Sequence, residues 1–432
     1  MAPSAAQPGE PRRPLRSVLI IAYHFPPLGG PGVQRTLGFA RHLPAEGWRP
    51  TVVTSDGRGY WAQDPGLLDR LPTSVDVVRV PEGRVGQGIR AARRWLPARA
   101  RPAIDRALFV PDLQVTWAPA AARAALAAAR REPPEVVFAT GAPWSSLLVG
   151  RAVARRLGRP LLADLRDPWT DGTVFRPASP AHRRLHRALE GAVHRDAAWV
   201  VANTQGNLDA LRESFPVTRA KSSFIPNGWD EPDFAEVGPR TEEVGLRVGF
   251  AGNFYAGRDG ADVLALFAEA AARTPDLARR LRLRFVGRTE VRAAARVAGL
   301  SVPIEELGYR PLPRALALLA ECRAGLVTVP AEAHPGWVPQ KLYQQLRLGQ
   351  PILTLAPPGD AARLTVEAGQ RWIDLSGPDP AGQLAAALVD VEAGRVASPP
   401  PAMVARYDRR RLTEALARRL DACAPRPASG PA

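Results

Sequence analysis

A chain of 432 residues is longer than one hydrophobic core usually serves, so two domains are expected. With 46% hydrophobic and 23% charged residues it is too apolar for a disordered chain. The net charge of +16 excludes little, because all but two of the 58 basic residues, Lys221 and Lys341, are arginine and they are spread through nearly every predicted helix. No recognisable nucleic-acid module accompanies them, so no nucleic-acid partner is predicted.

Residues 1–16, MAPSAAQPGEPRRPLR, are polar, Pro-rich and expected to be disordered. They lack the apolar segment of a signal peptide. No run of about 18 apolar residues occurs, so no membrane-spanning helix is predicted. Cys322 and Cys423 stand far apart without metal-ligand spacing, and the six histidines form no Cys/His cluster. A reducing compartment and no metal site follow. The expected location is cytoplasmic, with a basic surface suited to peripheral contact at the inner face of an anionic membrane or to a phosphorylated substrate.

Ser17–Tyr23 is a continuous apolar run, as expected of a strand buried on both faces of a parallel sheet. The Gly-rich loop after it contains Gly29 and Gly30, and apolar periodicity predicts a helix over 33–43. Thr51 begins the next strand, completing a βαβ unit. The loop is not a dinucleotide fingerprint. In Gly30-Pro-Gly-Val-Gln-Arg35 an arginine takes the third glycine position and Pro31 interrupts the turn, so the loop reads as the lining of a cleft.

Residues 84–107 carry seven arginines interleaved with Val85, Ile89, Trp95, Leu96 and Ile104. Two readings apply: a surface that touches membrane or a lipid-linked acceptor, and a solvated excursion between strands. A helix over 117–131, a strand from Glu135, a helix to Leu157 and a strand from Pro160 follow. That strand runs into Asp164-Leu-Arg166-Asp167-Pro-Trp169. Open α/β sheets bind ligands at the carboxyl ends of their strands, which makes Asp164, Arg166 and Asp167 candidate site residues. Residues 229–245 lack periodicity and predict a linker between a first domain at 17–228 and a second at 246–400. The second series opens with a strand from Leu246 and a loop that contains Asn253 and Arg258. Residues 401–432 are expected to form a closing helix and a Pro-rich tail.

The stretch His334–Leu353 predicts a loop, a short helix from about Pro339 to Leu348, a stop at Gly349 and a buried strand. Lys341 sits in the first turn of that helix, where free amide N–H groups and the helix dipole favour a phosphate. The fold class is therefore α/β, with two doubly wound, Rossmann-like domains facing a cleft.

Five motifs carry a resemblance. They are Tyr23-His-Phe-Pro-Pro-Leu-Gly-Gly30, Ala163-Asp-Leu-Arg-Asp-Pro-Trp169, Ile225-Pro-Asn-Gly228, Phe250-Ala-Gly-Asn253 and the segment from Lys341 to Leu353. Together, in this order, they resemble a GT-B glycosyltransferase of the family 4 type. The resemblance implies a nucleotide-sugar donor held mainly by the second domain and a glycan, lipid-linked or small-molecule acceptor held mainly by the first. It implies transfer with retention of anomeric configuration and no obligatory metal or other cofactor. Two glutamates eight positions apart are typical of the family. Gly336 and Gln344 stand at those positions here, and Asp167 stands where many members have histidine.

Breaking a sugar–phosphate bond leaves a diphosphate whose new charge needs cations and N–H dipoles. Lys341 and Arg258 are the expected cations, joined by the backbone at Gly29 and Gly30. Asn253, Gln344, Tyr309 and Arg310 are expected around the donor. Asp167 is expected beside the anomeric centre, with Asp164, Arg166 and Trp169 on the acceptor side. Two alternatives stay open on these residues: a nucleotide-sugar epimerase or hydrolase, and a non-catalytic sugar-nucleotide-binding partner.

Overall fold

The structure, a computed structural model, describes residues 15–58, 60, 63–172, 175–239, 245–254, 260–289 and 291–425. The first sheet is built from β1 (Arg16–Ile21), β2 (Trp48–Ser55), β3 (Asp76–Val80), β4 (Val136–Gly141), β5 (Leu161–Leu165), β6 (Ala197–Ala202) and β7 (Ser222–Phe224). Its order is β3-β2-β1-β4-β5-β6-β7. The second contains β8 (Leu246–Ala251), β9 (Leu281–Val286), β10 (Ile304–Glu306), β11 (Ala324–Thr328), β12 (Ile352–Ala356) and β13 (Arg371–Asp374), in the order β10-β9-β8-β11-β12-β13. The pairings are parallel, for example Leu19 opposite both Thr51 and Val137, and Leu326 opposite Leu353.

Helices connect the strands, as parallel pairing requires. Those of the first series are α1 (Pro31–His42), α2 (Arg84–Arg93), α3 (Arg101–Leu108), α4 (Ala118–Arg131), α5 (Ser145–Leu157), α6 (Pro180–Asp196) and α7 (Gln205–Ser214). The second series contains α8 (Ala261–Arg273), α9 (Pro275–Ala278), α10 (Val291–Val297), α11 (Leu312–Ala320), α12 (Gln340–Leu348), α13 (Asp360–Glu367) and α14 (Pro380–Glu392). Then come α15 (Pro401–Val404) and α16 (Arg409–Cys423). Central strands are buried along their whole length, as β4, β5 and β12 show. This is why their sequences read as unbroken apolar runs. In both sheets the order reverses beside the first strand of the series, at β1/β4 and at β8/β11. Open sheets of this kind bind ligands at that crevice.

The chain divides into two compact units, Met1–Asp164 with Ala178–Trp199 and Thr413–Ala432, and Leu165–Pro177 with Val200–Leu412. The sheets follow the two halves expected from sequence, but the units assign 165–177 and 200–228 to the second and 413–432 to the first. Side chains give the reason. In the second unit Thr204 Oγ1 donates to the Gly336 carbonyl at 2.8 Å, and Gly206 N donates to Asp360 Oδ2 at 2.7 Å. In the first unit Asp421, on α16, accepts from Arg16 Nη1 at 2.8 Å and Trp48 Nε1 at 3.2 Å.

The predicted linker packs over its first half. Trp229 N donates to the Tyr407 carbonyl and its indole to the Val404 carbonyl, while Trp229 and Phe234 pack against Leu316 and Leu319. The sequence hid this because the apolar residues there follow neither helical nor strand periodicity. Residues 240–244 lie outside the described residues.

Close packing of α5 on β4 yields one stability prediction. A Cβ at Gly150 would fall 2.3 Å from the Ala139 Cβ. Helix propensity alone favours alanine at a helical glycine by up to ~1 kcal/mol. The overlap is with a fixed methyl, so Gly150→Ala is expected to destabilise by about 1–3 kcal/mol. A urea midpoint at or above wild type would contradict it.

Candidate active site

In the second unit the switch point is marked by Lys341. Helix α12 starts at Gln340 after Pro339, with no side chain capping its first turn, and stops at Gly349, whose φ of 73° suits glycine. Leu342 N already donates to the Pro339 carbonyl at 3.0 Å, so the amides ahead of it in the first turn are the ones suited to a ligand. The Lys341 side chain is half-buried. Its Nζ lies 3.7 Å from the centroid of the Phe250 ring, near the end of β8. A Cβ at Gly252 would come within 2.5 Å of that Nζ, so the amine lies directly on the backbone of the loop after β8. No carboxylate pairs with it among the described residues. Burial accordingly pushes the amine down from its ordinary 10.5 to about 7.

Around this amine the strand ends are stitched together. Asn253 Oδ1 accepts from Arg288 N at 3.0 Å, and Gly287 N donates to the Gly308 carbonyl at 2.9 Å. The rim thus runs from Asn253 to Tyr309 and Arg310. Tyr309 is about half exposed, and its carbonyl accepts from Arg310 Nη1 at 2.9 Å. Gln344, one turn beyond Lys341, is buried, and its amide has no hydrogen-bond partner among the described residues. Arg258 lies outside the described residues.

The loop that leads into α12 is pinned from two directions. Asp360 N donates to the Pro335 carbonyl at 2.7 Å, while Thr204, which caps α7 through Asn207 N, donates to the Gly336 carbonyl. Asn207 Nδ2 donates to Asn203 Oδ1 at 2.6 Å, and Asn203 Nδ2 donates to the Arg166 carbonyl. A continuous polar chain therefore links the Gly336 loop to the segment that carries Asp167. Asp167 is exposed there. Trp169 is fully buried, so it packs the segment and offers no surface for the acceptor contact expected of it.

In the first unit Gly30 has a φ of 93° and hands the chain to Pro31 at the start of α1. Asp164 is buried and fully engaged. Its Oδ1 accepts from Arg35 Nη2 at 2.7 Å, and its Oδ2 accepts from Arg35 Nε at 3.1 Å and Thr140 Oγ1 at 2.7 Å. The expected acceptor-side role for Asp164 therefore gives way to a structural one. The arginine that spoils the dinucleotide fingerprint is the residue that ties α1 to β5.

Residues 29–228 match the family described as glycosyl transferase 4-like domain. The first half of the chain thus carries a glycosyl transferase 4-like domain, and the chain as a whole has the GT-B fold. No curated protein matches its sequence. Solved structures match along nearly the whole chain at low identity. Anabaena HepE in complex with UDP-glucose has a TM-score of 0.60 at 18% identity, covering 94% of this chain and 99% of that one. Trehalose-6-phosphate synthase OtsA has a TM-score of 0.65 at 11% identity, covering 95% and 100%. WaaG, a glycosyltransferase involved in lipopolysaccharide biosynthesis, has a TM-score of 0.57 at 16% identity, covering 93% and 98%.

The geometry explains one departure of this chain from the expected glutamate pair. A Cβ at Gly336 would meet Asn207 Oδ1 at 2.1 Å, with the Asn207 Cγ and backbone N at 2.8 Å. The amino end of α7 fills the space that a glutamate side chain needs. Gly336→Glu is expected to destabilise the protein by about 2 kcal/mol or more through overpacking. An unchanged melting temperature would show that the space is open. The sequence assigns no site role to Phe250, Thr204, Asn203 or Asn207, although Phe250 opens one of the five motifs and Thr204 reads as the N-cap threonine of a helix.

Proposed function

We propose that the chain moves a sugar from a nucleotide-sugar to a glycan, lipid-linked or small-molecule acceptor, with retention of configuration at the anomeric carbon. The observation that carries this is Lys341: a half-buried amine on a ring face and a glycine backbone, at an uncapped helix start, with no carboxylate partner among the described residues. A diphosphate supplies the charge such a group lacks. HepE, in complex with UDP-glucose, supports a nucleotide-sugar donor for a chain of this fold.

In this reading Lys341 and the α12 amides take up the leaving diphosphate, with Arg258 as a second cation and no resident metal ion. Gln344 meets the donor ribose or sugar, Asn253 the diphosphate end of the β8 loop, and Tyr309 with Arg310 the base. Asp167 stands beside the anomeric centre. The cytoplasm, with peripheral contact at an anionic membrane, is the assigned location.

The test is a thermal-shift series with UDP-, GDP-, ADP- and TDP-sugars, followed by turnover of labelled donor with and without a lipid extract. Stabilisation by one series, growing with the logarithm of its concentration, is expected. Failure of every series would remove the donor assignment. One observation favours a second reading: Gly336 and Gln344 leave the donor side without the two expected carboxylates. Donor binding without turnover on any acceptor would make the chain a sugar-nucleotide-binding partner. Turnover without acceptor would make it an epimerase or hydrolase.

A further inference from the structure

We propose that residues 84–108 of the first unit form a docking surface for an anionic lipid bilayer, with Trp95 as the inserting side chain. This deepens the acceptor side of the reading above, and it stands on its own contacts.

The segment is a built hairpin. Arg93, at the end of α2, holds Asp105 of α3 in a two-pronged pair, Nε to Oδ1 at 2.7 Å and Nη2 to Oδ2 at 2.5 Å. Arg101 closes the turn between the helices, donating from Nε to the Leu96 carbonyl at 3.0 Å and from Nη2 to the Arg94 carbonyl at 3.1 Å. His182 Nε2 lies 3.1 Å from the Ala107 carbonyl and anchors the hairpin to α6. A turn fixed by this many polar contacts nonetheless holds Trp95 91% exposed and Leu108 69% exposed. Helix α3 buries none of its residues, and Leu185, three residues beyond His182, is also exposed.

Charge selects the occupant. Residues 84–108 contain seven arginines and a single acid, Asp105, which Arg93 neutralises. Arg94, Arg99 and Arg106 are exposed beside the apolar side chains. An indole flanked by guanidinium groups suits the bilayer interface: the ring enters the headgroup boundary while the cations meet lipid phosphates. Each such cation adds attraction to an anionic surface that salt screens.

The test uses the full chain and sedimentation with vesicles of phosphatidylcholine alone or with added phosphatidylglycerol. Wild type is expected to sediment with the anionic vesicles only, and to be released by salt. Trp95→Ala and the triple variant Arg94→Glu, Arg99→Glu, Arg106→Glu are each expected to lower the partition by at least about tenfold. Both variants should keep whatever thermal shift a nucleotide-sugar gives wild type, so loss of docking and loss of donor binding are read separately. The proposal is overturned if wild type ignores anionic vesicles, binds neutral ones equally, or binds as tightly after either change. It is also overturned if the same variants abolish a tighter binding to RNA, or if Trp95→Ala converts a dimer to a monomer, for then the occupant is a nucleic acid or a second copy.

Discussion

Lys341→Ala is expected to lower kcat/KM for the donor by about 10² to 10³, the loss typical when one preorganised donor to a developing anion is removed. The pH dependence separates this role from a general structural one. The ligand-free amine titrates at about 7, because burial disfavours its charged form. A bound diphosphate favours that charge and draws the proton back. Donor affinity is therefore expected to be steady below pH 7 and to fall about tenfold per unit above it, until the pKa of the complex is reached. Lys341→Ala should flatten this limb. Isothermal titration across the range, in buffers of different ionisation enthalpy, would detect the proton uptake directly. A wild-type profile that stays flat from pH 6 to 9 would overturn the assignment.

Stability runs in the opposite direction. A lysine whose folded pKa lies below its unfolded value binds fewer protons folded than unfolded between about pH 7 and 10.5. The residue's penalty is full below the folded pKa and is relieved as pH rises through that window. Lys341→Met should thus raise the melting temperature of the ligand-free protein at neutral pH while abolishing stabilisation by the donor. A site that costs stability when empty and gains it when filled fits a binding group rather than a packing group.

The second large effect lies in the first unit. Asp164→Ala removes the carboxylate that engages Arg35 and Thr140, so a guanidinium that is 4% exposed loses that two-pronged pair. Breaking a buried pair from one side typically costs about 3–5 kcal/mol. Urea unfolding is expected to show a loss of that size, with the β1–α1 region affected first in hydrogen exchange. Replacing both partners by apolar residues should recover most of it, because two desolvation penalties disappear with the attraction. A loss below about 1 kcal/mol for Asp164→Ala would mean that the pair is not held dry, and Asp164 would return as an acceptor-side candidate.

Much of the fold is legible in the sequence. Continuous, largely apolar runs at Ser17–Tyr23 and Pro351–Leu355 predict strands of a doubly wound sheet because a strand covered on both faces has no polar side to display. Glycine at 349 stops α12 for a local reason, and Lys341 opens it, so the anion-suited helix start could be read from nine consecutive residues. The packed start of the supposed linker could not, since Trp229 and Phe234 are held by residues far along the chain.

By itself, then, the sequence determined the two α/β series, their Gly-bearing loops and the lone lysine at the head of α12, all of which depend on spacing within one segment. Tertiary structure alone decided which of the charged candidates are free to act. Asp164 is spent on Arg35 some 129 positions away, Gly336 gives its space to Asn207, and Lys341 rests on Phe250 with its charge weakened by burial. Hydrogen bonds, exclusion and desolvation act between segments that chain order keeps apart, and no local pattern records them.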